Sequence, residues 1–114
     1  MRIIFKQTWD NYTSTKYLEV DSNNEPIYSY TITIFDHLPK TECKLESVYV
    51  AQLHRNKGYF NVIMKEVLSL NYKKIFIQVR VKSFIEKSYR KLGFRKYTDE
   101  ITCEGFFWMR KINK

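Results

Sequence analysis

The sequence predicts an α/β (α+β) fold in which a mixed, mostly antiparallel central sheet is completed by a strand–helix–strand–helix core. Within residues 2–35, the segments Arg2–Trp9, Lys16–Val20 and Ile27–Phe35 have the pattern of strands. Residues 45–70 pass from an apolar strand through a basic turn into a helical pattern, and residues 74–92 repeat the order of strand and helix. With 114 residues, 44% of them hydrophobic, the chain can bury one core, which predicts a single domain over residues 1–114.

The N-terminal part of the chain predicts a run of strands. Arg2–Trp9 alternates apolar and polar residues and is the first expected strand. Lys16–Val20 and Ile27–Phe35 are expected to form a hairpin across the polar turn Asp21–Pro26. Leu45–Val50 then continues the sheet.

The turn after this strand has the composition of an anion site. Arg55 and Lys57 supply cations, and Gly58 supplies a backbone position without side-chain hindrance. The helix expected from about Phe60 to Leu70 directs its unsatisfied N–H groups and its positive dipole end at this turn. Pyrophosphate is the predicted guest.

The second strand–helix pair follows directly. Lys74–Val81 alternates like a strand and is expected to run parallel to Leu45–Val50 through a right-handed crossover. The helix Ser83–Leu92 ends at Gly93. Its apolar residues lie on or near one face, and they are Phe84, Ile85, Tyr89 and Leu92.

These motifs together resemble the GNAT superfamily of acyl-CoA N-acyltransferases. The family's phosphate turn reads Gln or Arg, two variable residues, Gly, one variable residue, then Gly or Ala. Here the turn matches it at all but the last place, and its residues are Arg55, Asn56, Lys57, Gly58, Tyr59 and Phe60. The family's later Tyr-Glu-Lys-Leu-Gly-Phe motif corresponds to Tyr89–Phe94. The resemblance covers Leu45–Phe94 and extends more loosely to the closing strand Gly105–Ile112.

The resemblance implies acetyl-CoA as cosubstrate. Its pantetheine arm would pair with the strand edge formed by Val48, Tyr49 and Val50. Its pyrophosphate would lie on Arg55–Phe60, where the Phe60 side chain replaces a small residue and can crowd the phosphate. Ser83, or Lys82 in an alternative alignment, occupies the place of an Asn that the family often has near the cofactor.

The resemblance also implies catalytic roles. Tyr89 occupies the place of the family's frequent general acid, and the alternative is a core tyrosine with its hydroxyl at the rim. Glu46 is the candidate base, and the alternative is an exposed edge carboxylate. A regular strand would place Glu46 on the same face as Val48 and Val50. Gln78 cannot act as a base, and His54 is expected to be solvated or to contact phosphate.

The N-terminal half departs from the family pattern. Family members usually place two helices between the first two strands, whereas only Asp10–Thr15 occupies that place here. Without those helices the acceptor side is expected to be open, which favours an amine on a protein or peptide over a small amine. The alternative is a homodimer in which the second subunit supplies the missing wall. The alternative function is a catalytically inactive GNAT-fold protein that binds an acidic macromolecule.

Charge and cysteine content restrict the remaining classes. The net charge of +8 favours an acidic partner, and no nucleic-acid recognition motif is visible. Cys43 and Cys103 are expected to be reduced thiols, and no spacing of metal ligands is present. The N-terminal residues resemble neither a signal peptide nor a membrane span, so we expect a cytoplasmic protein.

Overall fold

A computed structural model describes residues 1–113 and contains one seven-stranded sheet. The strands are β1 (Arg2–Thr8), β2 (Tyr12–Val20), β3 (Pro26–Phe35), β4 (Glu42–Val50), β5 (Lys74–Arg80), β6 (Arg95–Lys96) and β7 (Phe106–Ile112). The helices are α1 (Tyr59–Ser69), α2 (Ile85–Lys91) and a short 3-10 helix (Gln52–His54). The strand order is β1-β2-β3-β4-β5-β7-β6, and each pair is antiparallel except β4 with β5. Lys114, the last residue of the predicted domain, lies outside the described residues.

The predicted fold class is confirmed, with β2 and β4 several residues longer than expected. β4 begins at Glu42 rather than at Leu45. β2 begins at Tyr12 rather than at Lys16, because it pairs with β1 from Thr13 through a tight turn at the chain reversal. Asp10–Thr15 therefore forms that turn and the start of β2. Trp9 lies outside β1 and stacks on the Tyr12 ring, with 4.8 Å between ring centroids.

Both α-helices pack against the same face of the sheet, which we call the helix face. In β5 the alternating residues Ile75, Ile77 and Val79 are buried on this face, as their period of two predicts. One hydrophobic cluster joins the sheet to the helices, and it includes Tyr28, Tyr30, Ile32, Leu45, Ile63, Met64, Val67, Tyr89, Phe94, Phe107 and Met109. Among residues 1–113 no helix covers the opposite face, which we call the open face.

The apolar surface of α2 is narrower than predicted. Ile85 and Leu92 pack against the core, and Tyr89 is buried within it. Phe84 instead lies at the N-cap and is 95% exposed, so its prediction as part of the packing face is wrong. The helix starts later than the periodicity indicates, which turns this side chain away from the core.

A carboxylate connects α1 to the N-terminal strands. The two oxygens of Glu66 accept hydrogen bonds from the Arg2 guanidinium at 2.6 Å, the Tyr28 hydroxyl at 2.6 Å and the Tyr30 hydroxyl at 2.9 Å. Arg2 also bonds Glu19 at 3.1 Å, which extends the network to β2. Because these donors come from β1 and β3, the network fixes the angle at which α1 crosses the sheet.

The protonation of Glu66 reflects two opposing effects. Partial burial works to raise the pKa of this carboxyl, but hydrogen bonds from Tyr28, Arg2 and Tyr30 outweigh it and lower the pKa below its ordinary value. The ionised form is therefore the one that the folded protein stabilises. This contribution is present above the ordinary carboxyl pKa and is lost as the pH falls through the depressed value.

We expect Glu66→Gln to lower the free energy of unfolding by about 2 kcal/mol at neutral pH, because a neutral amide cannot satisfy three donors. Urea denaturation measures this difference. Glu86→Gln is the control, since it breaks only the exposed pair with Arg90 at 2.7 Å and should cost less than about 0.5 kcal/mol.

The sign of the pH dependence gives a second check. The difference in stability between the wild type and Glu66→Gln should shrink as the pH falls below the ordinary carboxyl pKa of about 4.5. A difference that stayed constant down to about pH 3 would contradict the charged network.

Candidate active site

The parallel strands β4 and β5 pair over only three positions and then diverge. Their register joins Glu42 to Lys74, Cys43 to Ile75 and Lys44 to Phe76. Beyond Lys44, β4 stays paired with β3, while β5 stays paired with β7. On its β3 side the segment Leu45–Val50 is therefore paired, whereas on its β5 side it runs beside a gap in the sheet.

A β-bulge in β4 lies at this gap. Glu46 pairs with Thr31 and Tyr49 with Ser29, so between these pairs one residue of β3, Tyr30, opposes two residues of β4, Ser47 and Val48. Ser47 takes up the extra length with a positive φ of 54°. Within residues 1–113 the ladder gives neither Ser47 nor Val48 a paired residue, which leaves backbone groups there to face the gap.

The bulge also changes which side chains share a face. Cys43 and Leu45 are buried in the core, and after the bulge Val48 and Val50 pack against the same core. The Glu46 side chain instead bonds to Thr33 on the open face. The prediction that Glu46 shares a face with Val48 and Val50 is wrong, because the extra residue at the bulge shifts the alternation by one position.

The gap is the mouth of a cleft of about 760 Å³. From the helix face the cleft is lined by Val48, Phe60, Ile85 and Tyr89, and from the open face by Glu46, Tyr49, Gln78 and Arg80. The cleft therefore runs through the sheet and opens on both of its faces. A substrate bound along β4 is accessible to groups from both faces.

The basic turn closes one end of the cleft. Gly58 is the N-cap of α1 with a φ of 83°, and Asn56 has a φ of 63°, so both use the left-handed region. The first helical hydrogen bond runs from the Val62 N–H to the Gly58 carbonyl at 3.2 Å. The preceding N–H groups of α1 thus have no helical partner and face the turn, as an anion site requires.

The turn residues differ in their contact with the cleft. Arg55, Asn56, Gly58, Tyr59 and Phe60 line it, whereas Lys57 is exposed and does not. The Arg55 Nε donates to the Val50 carbonyl at 3.0 Å, which holds the guanidinium at the end of β4. The Phe60 ring packs edge-on against Tyr89 at 5.4 Å, so this ring is directed along α1 toward the core.

Tyr89 is placed on the helix side of the same cleft. The residue is 6% exposed, and its ring lies between Phe60 and Phe94, each at 5.4 Å. Burial raises the pKa of its hydroxyl to about 12. A hydroxyl with that pKa keeps its proton at neutral pH, which is the state that a general acid needs.

Glu46 lines the cleft from the open side. One carboxylate oxygen accepts from the Thr33 hydroxyl, which is itself 2.8 Å from the Ser14 hydroxyl. The other oxygen lies 3.3 Å from the Lys44 Nζ. These contacts hold the carboxylate in place while its side chain remains about one-third exposed.

The other residues considered from the sequence take these places. His54 and Gln78 both line the cleft, and the His54 ring meets Tyr59 edge-on at 5.8 Å. Ser83 lines the cleft and its hydroxyl accepts from the Ile85 N–H at 3.2 Å, whereas Lys82 is not a lining residue. The assignment of catalytic and cofactor contacts to these positions stays a prediction.

Arg80 and Phe106 line the cleft without having been predicted to do so. They come from paired positions on β5 and β7, so their placement depends on a pairing that the sequence does not display. The bulge could have been predicted from the sequence of β4. Apolar residues of β4 change from odd positions, Cys43 and Leu45, to even positions, Val48 and Val50.

Within residues 1–113 no helix is long and apolar enough to cross a membrane. No group of three or more His, Cys, Asp or Glu residues in this part of the chain has the geometry to hold a metal ion. Cys43 and Cys103 are both free thiols, and burial raises the pKa of Cys43 to about 12.

No protein-family model matches this sequence, and no curated protein does. Several solved structures are similar in fold. An acetyltransferase from Bacillus cereus aligns with a TM-score of 0.70 at 16% identity, covering 90% of this chain and 74% of its own. The spermidine/spermine N-acetyltransferase SpeG from Vibrio cholerae aligns with a TM-score of 0.67 at 17% identity, covering 87% of this chain. A GNAT-family acetyltransferase from Staphylococcus aureus aligns with a TM-score of 0.64 at 16% identity, covering 89% of this chain and 68% of its own.

The similarity concerns architecture. At these identities it establishes the fold, and the chain spans 65% of the length of the Vibrio cholerae enzyme. The same fold is indicated by the strand–turn–helix motif, by the divergence of β4 from β5 and by these alignments. The chain therefore has the fold of the GNAT acetyltransferases.

Proposed function

We propose that this chain is an N-acetyltransferase that moves an acetyl group from acetyl-CoA to an amine. The observation that carries the proposal is the cleft at the divergence of β4 and β5, which has the basic turn and the N-terminus of α1 at one end. An extended pantetheine arm can add to the free edge of β4 as a strand would, through the backbone of Val48, Tyr49 and Val50. The pyrophosphate is then held by Arg55 and the first N–H groups of α1.

The two sides of the cleft supply the groups that acetyl transfer needs. The bulge leaves backbone groups at Ser47 and Val48 without ladder partners, and an N–H there can stabilise the oxyanion on the acetyl carbonyl. Glu46 accepts a proton from the amine as the C–N bond forms. Tyr89 donates a proton to sulfur as the C–S bond breaks, which gives free CoA.

The acceptor enters from the open face in this proposal. No helix of the described chain covers that face, so an amine on a protein or peptide can reach Glu46 without being enclosed. The uncovered face supports a macromolecular acceptor. The Vibrio cholerae enzyme, by contrast, is named for small polyamines, spermidine and spermine. A homodimer and a cytoplasmic location remain predictions from the sequence.

We expect Arg55→Glu to weaken acetyl-CoA binding at least about tenfold, because it replaces a cation at the pyrophosphate with an anion. Isothermal titration with acetyl-CoA and with CoA measures the change. Lys6→Glu makes the same change of charge on exposed β1, away from the cleft, and should leave affinity unchanged. No binding by the wild type at millimolar cofactor would sink the proposal and favour an inactive protein that binds a macromolecule.

We expect Tyr89→Phe to lower kcat about a hundredfold while leaving acetyl-CoA affinity and stability nearly unchanged, because the ring contacts remain. Release of the CoA thiol measures the rate. Since burial raises the pKa of Tyr89 to about 12, the wild-type rate should show no decline from loss of this proton up to about pH 10. Wild-type kcat retained in Tyr89→Phe would remove this residue from the role of acid.

We expect Glu46→Gln to lower kcat/KM about a hundredfold, because an amide cannot accept the amine proton. The matched control is Glu42→Gln on the same strand, which loses its 3.9 Å pair with Lys74 and lies outside the cleft. Equal losses in both variants would show that the effect comes from the strand's ion pairs and not from proton transfer.

A further inference from the structure

A second cavity of about 300 Å³ lies beside the cleft. It sits over the paired end of β4 and β5, where Lys44 and Phe76 are opposite each other. Its walls are largely aromatic and include Phe35, Phe76, Tyr97 and Trp108. The Phe76 and Tyr97 rings meet edge-on with centroids 5.6 Å apart.

This cavity adjoins the part of the cleft that opens on the open face of the sheet. Lys44 lines the cavity, and its Nζ lies 3.3 Å from the carboxylate of Glu46, which lines the cleft. Phe76 and Trp108 line the cavity, while Gln78 and Phe106 line the cleft two residues further along the same strands. At the rise of a strand, two residues correspond to about 7 Å. A group joined to the reacting amine by a few bonds can therefore reach the cavity.

The charges around the cavity decide what kind of group it can take. Among the described residues that line it, none is acidic. The Lys44 Nζ lies over the Trp108 ring at 5.2 Å, and the Arg110 guanidinium lies over Tyr97 at 4.9 Å. Cations of the protein already face these rings, so a second ammonium of a polyamine would be repelled. An uncharged ring is compatible, since aromatic pairs gain from edge-to-face packing.

We propose that this cavity binds an aromatic group of the acceptor, so that the substrate class is an amine joined by a short linker to an uncharged aromatic ring. This inference rests on the proposed acetyl transfer in the adjoining cleft. An arylalkylamine and a peptide with an N-terminal Phe, Tyr or Trp share this chemistry. Polyamines lack the ring and carry the wrong charge.

Acetyl transfer to matched acceptors tests the proposal. The aromatic acceptors are 2-phenylethylamine and a short peptide that begins with Phe, and the comparison acceptors are butylamine, the same peptide beginning with Gly, and spermidine. We expect higher kcat/KM for the aromatic acceptors, and a loss of about fivefold for them alone in Tyr97→Ala. The better of the two aromatic arms identifies the source of the amine. Phe5→Ala removes a half-exposed ring from the same face, outside both cavities, and should change neither class.

A binding measurement separates this inference from the proposed function. The chain has two tryptophans, so in Trp9→Phe the emission excited selectively from tryptophan comes from Trp108 alone. In that variant, 2-phenylethylamine should change the Trp108 emission and butylamine should not. That response without any acetyl transfer would support the aromatic site and overturn the enzyme. Transfer to spermidine as fast as to 2-phenylethylamine, with no emission change and no selective loss in Tyr97→Ala, would overturn the aromatic site and leave the enzyme.

Discussion

The early end of the pairing between β4 and β5 is the constraint on which the rest of the site depends. Three residue pairs hold the strands together, and the bulge at Ser47 then bends β4 while β5 follows β7. A continuous sheet would satisfy every backbone group in this region. The divergence instead leaves a strand edge inside the protein. The cleft, its access from both faces and the position of the basic turn at its end all follow from this divergence.

A core on one face of the sheet makes this opening possible. Both helices and the buried apolar cluster lie on the helix face, so the sheet can part at β4 while α1 still spans the strands on one side of the gap. The Glu66 network fixes α1 to β1 and β3 through three donors. Because the basic turn leads directly into the N-terminus of α1, this distant contact also fixes the position of that turn relative to β4.

The open face carries the charged and aromatic side chains that lie beside the cleft. It carries Glu46 held between Thr33 and Lys44, and beside it the aromatic cavity with cations over two of its rings. Glu46 is the one acidic residue among the described residues that line the cleft, and its surroundings are basic and aromatic. The net charge of +8 is consistent with this arrangement.

The sequence alone determined the order of the elements, the buried residues of β5, the start of α1 after a basic glycine turn, and the fold. The element order, the burial in β5 and the start of α1 depend on residue periodicity and on turn chemistry, which act over a few neighbouring residues. The fold was predicted from the resemblance of Arg55–Phe60 and Tyr89–Phe94 to two motifs of the GNAT superfamily. The tertiary structure decided the face on which Glu46 lies, the exposure of Phe84, the entry of Arg80 and Phe106 into the cleft, and the second cavity. Each of these depends on register between strands distant in the chain, where one extra residue moves every following side chain to the other face.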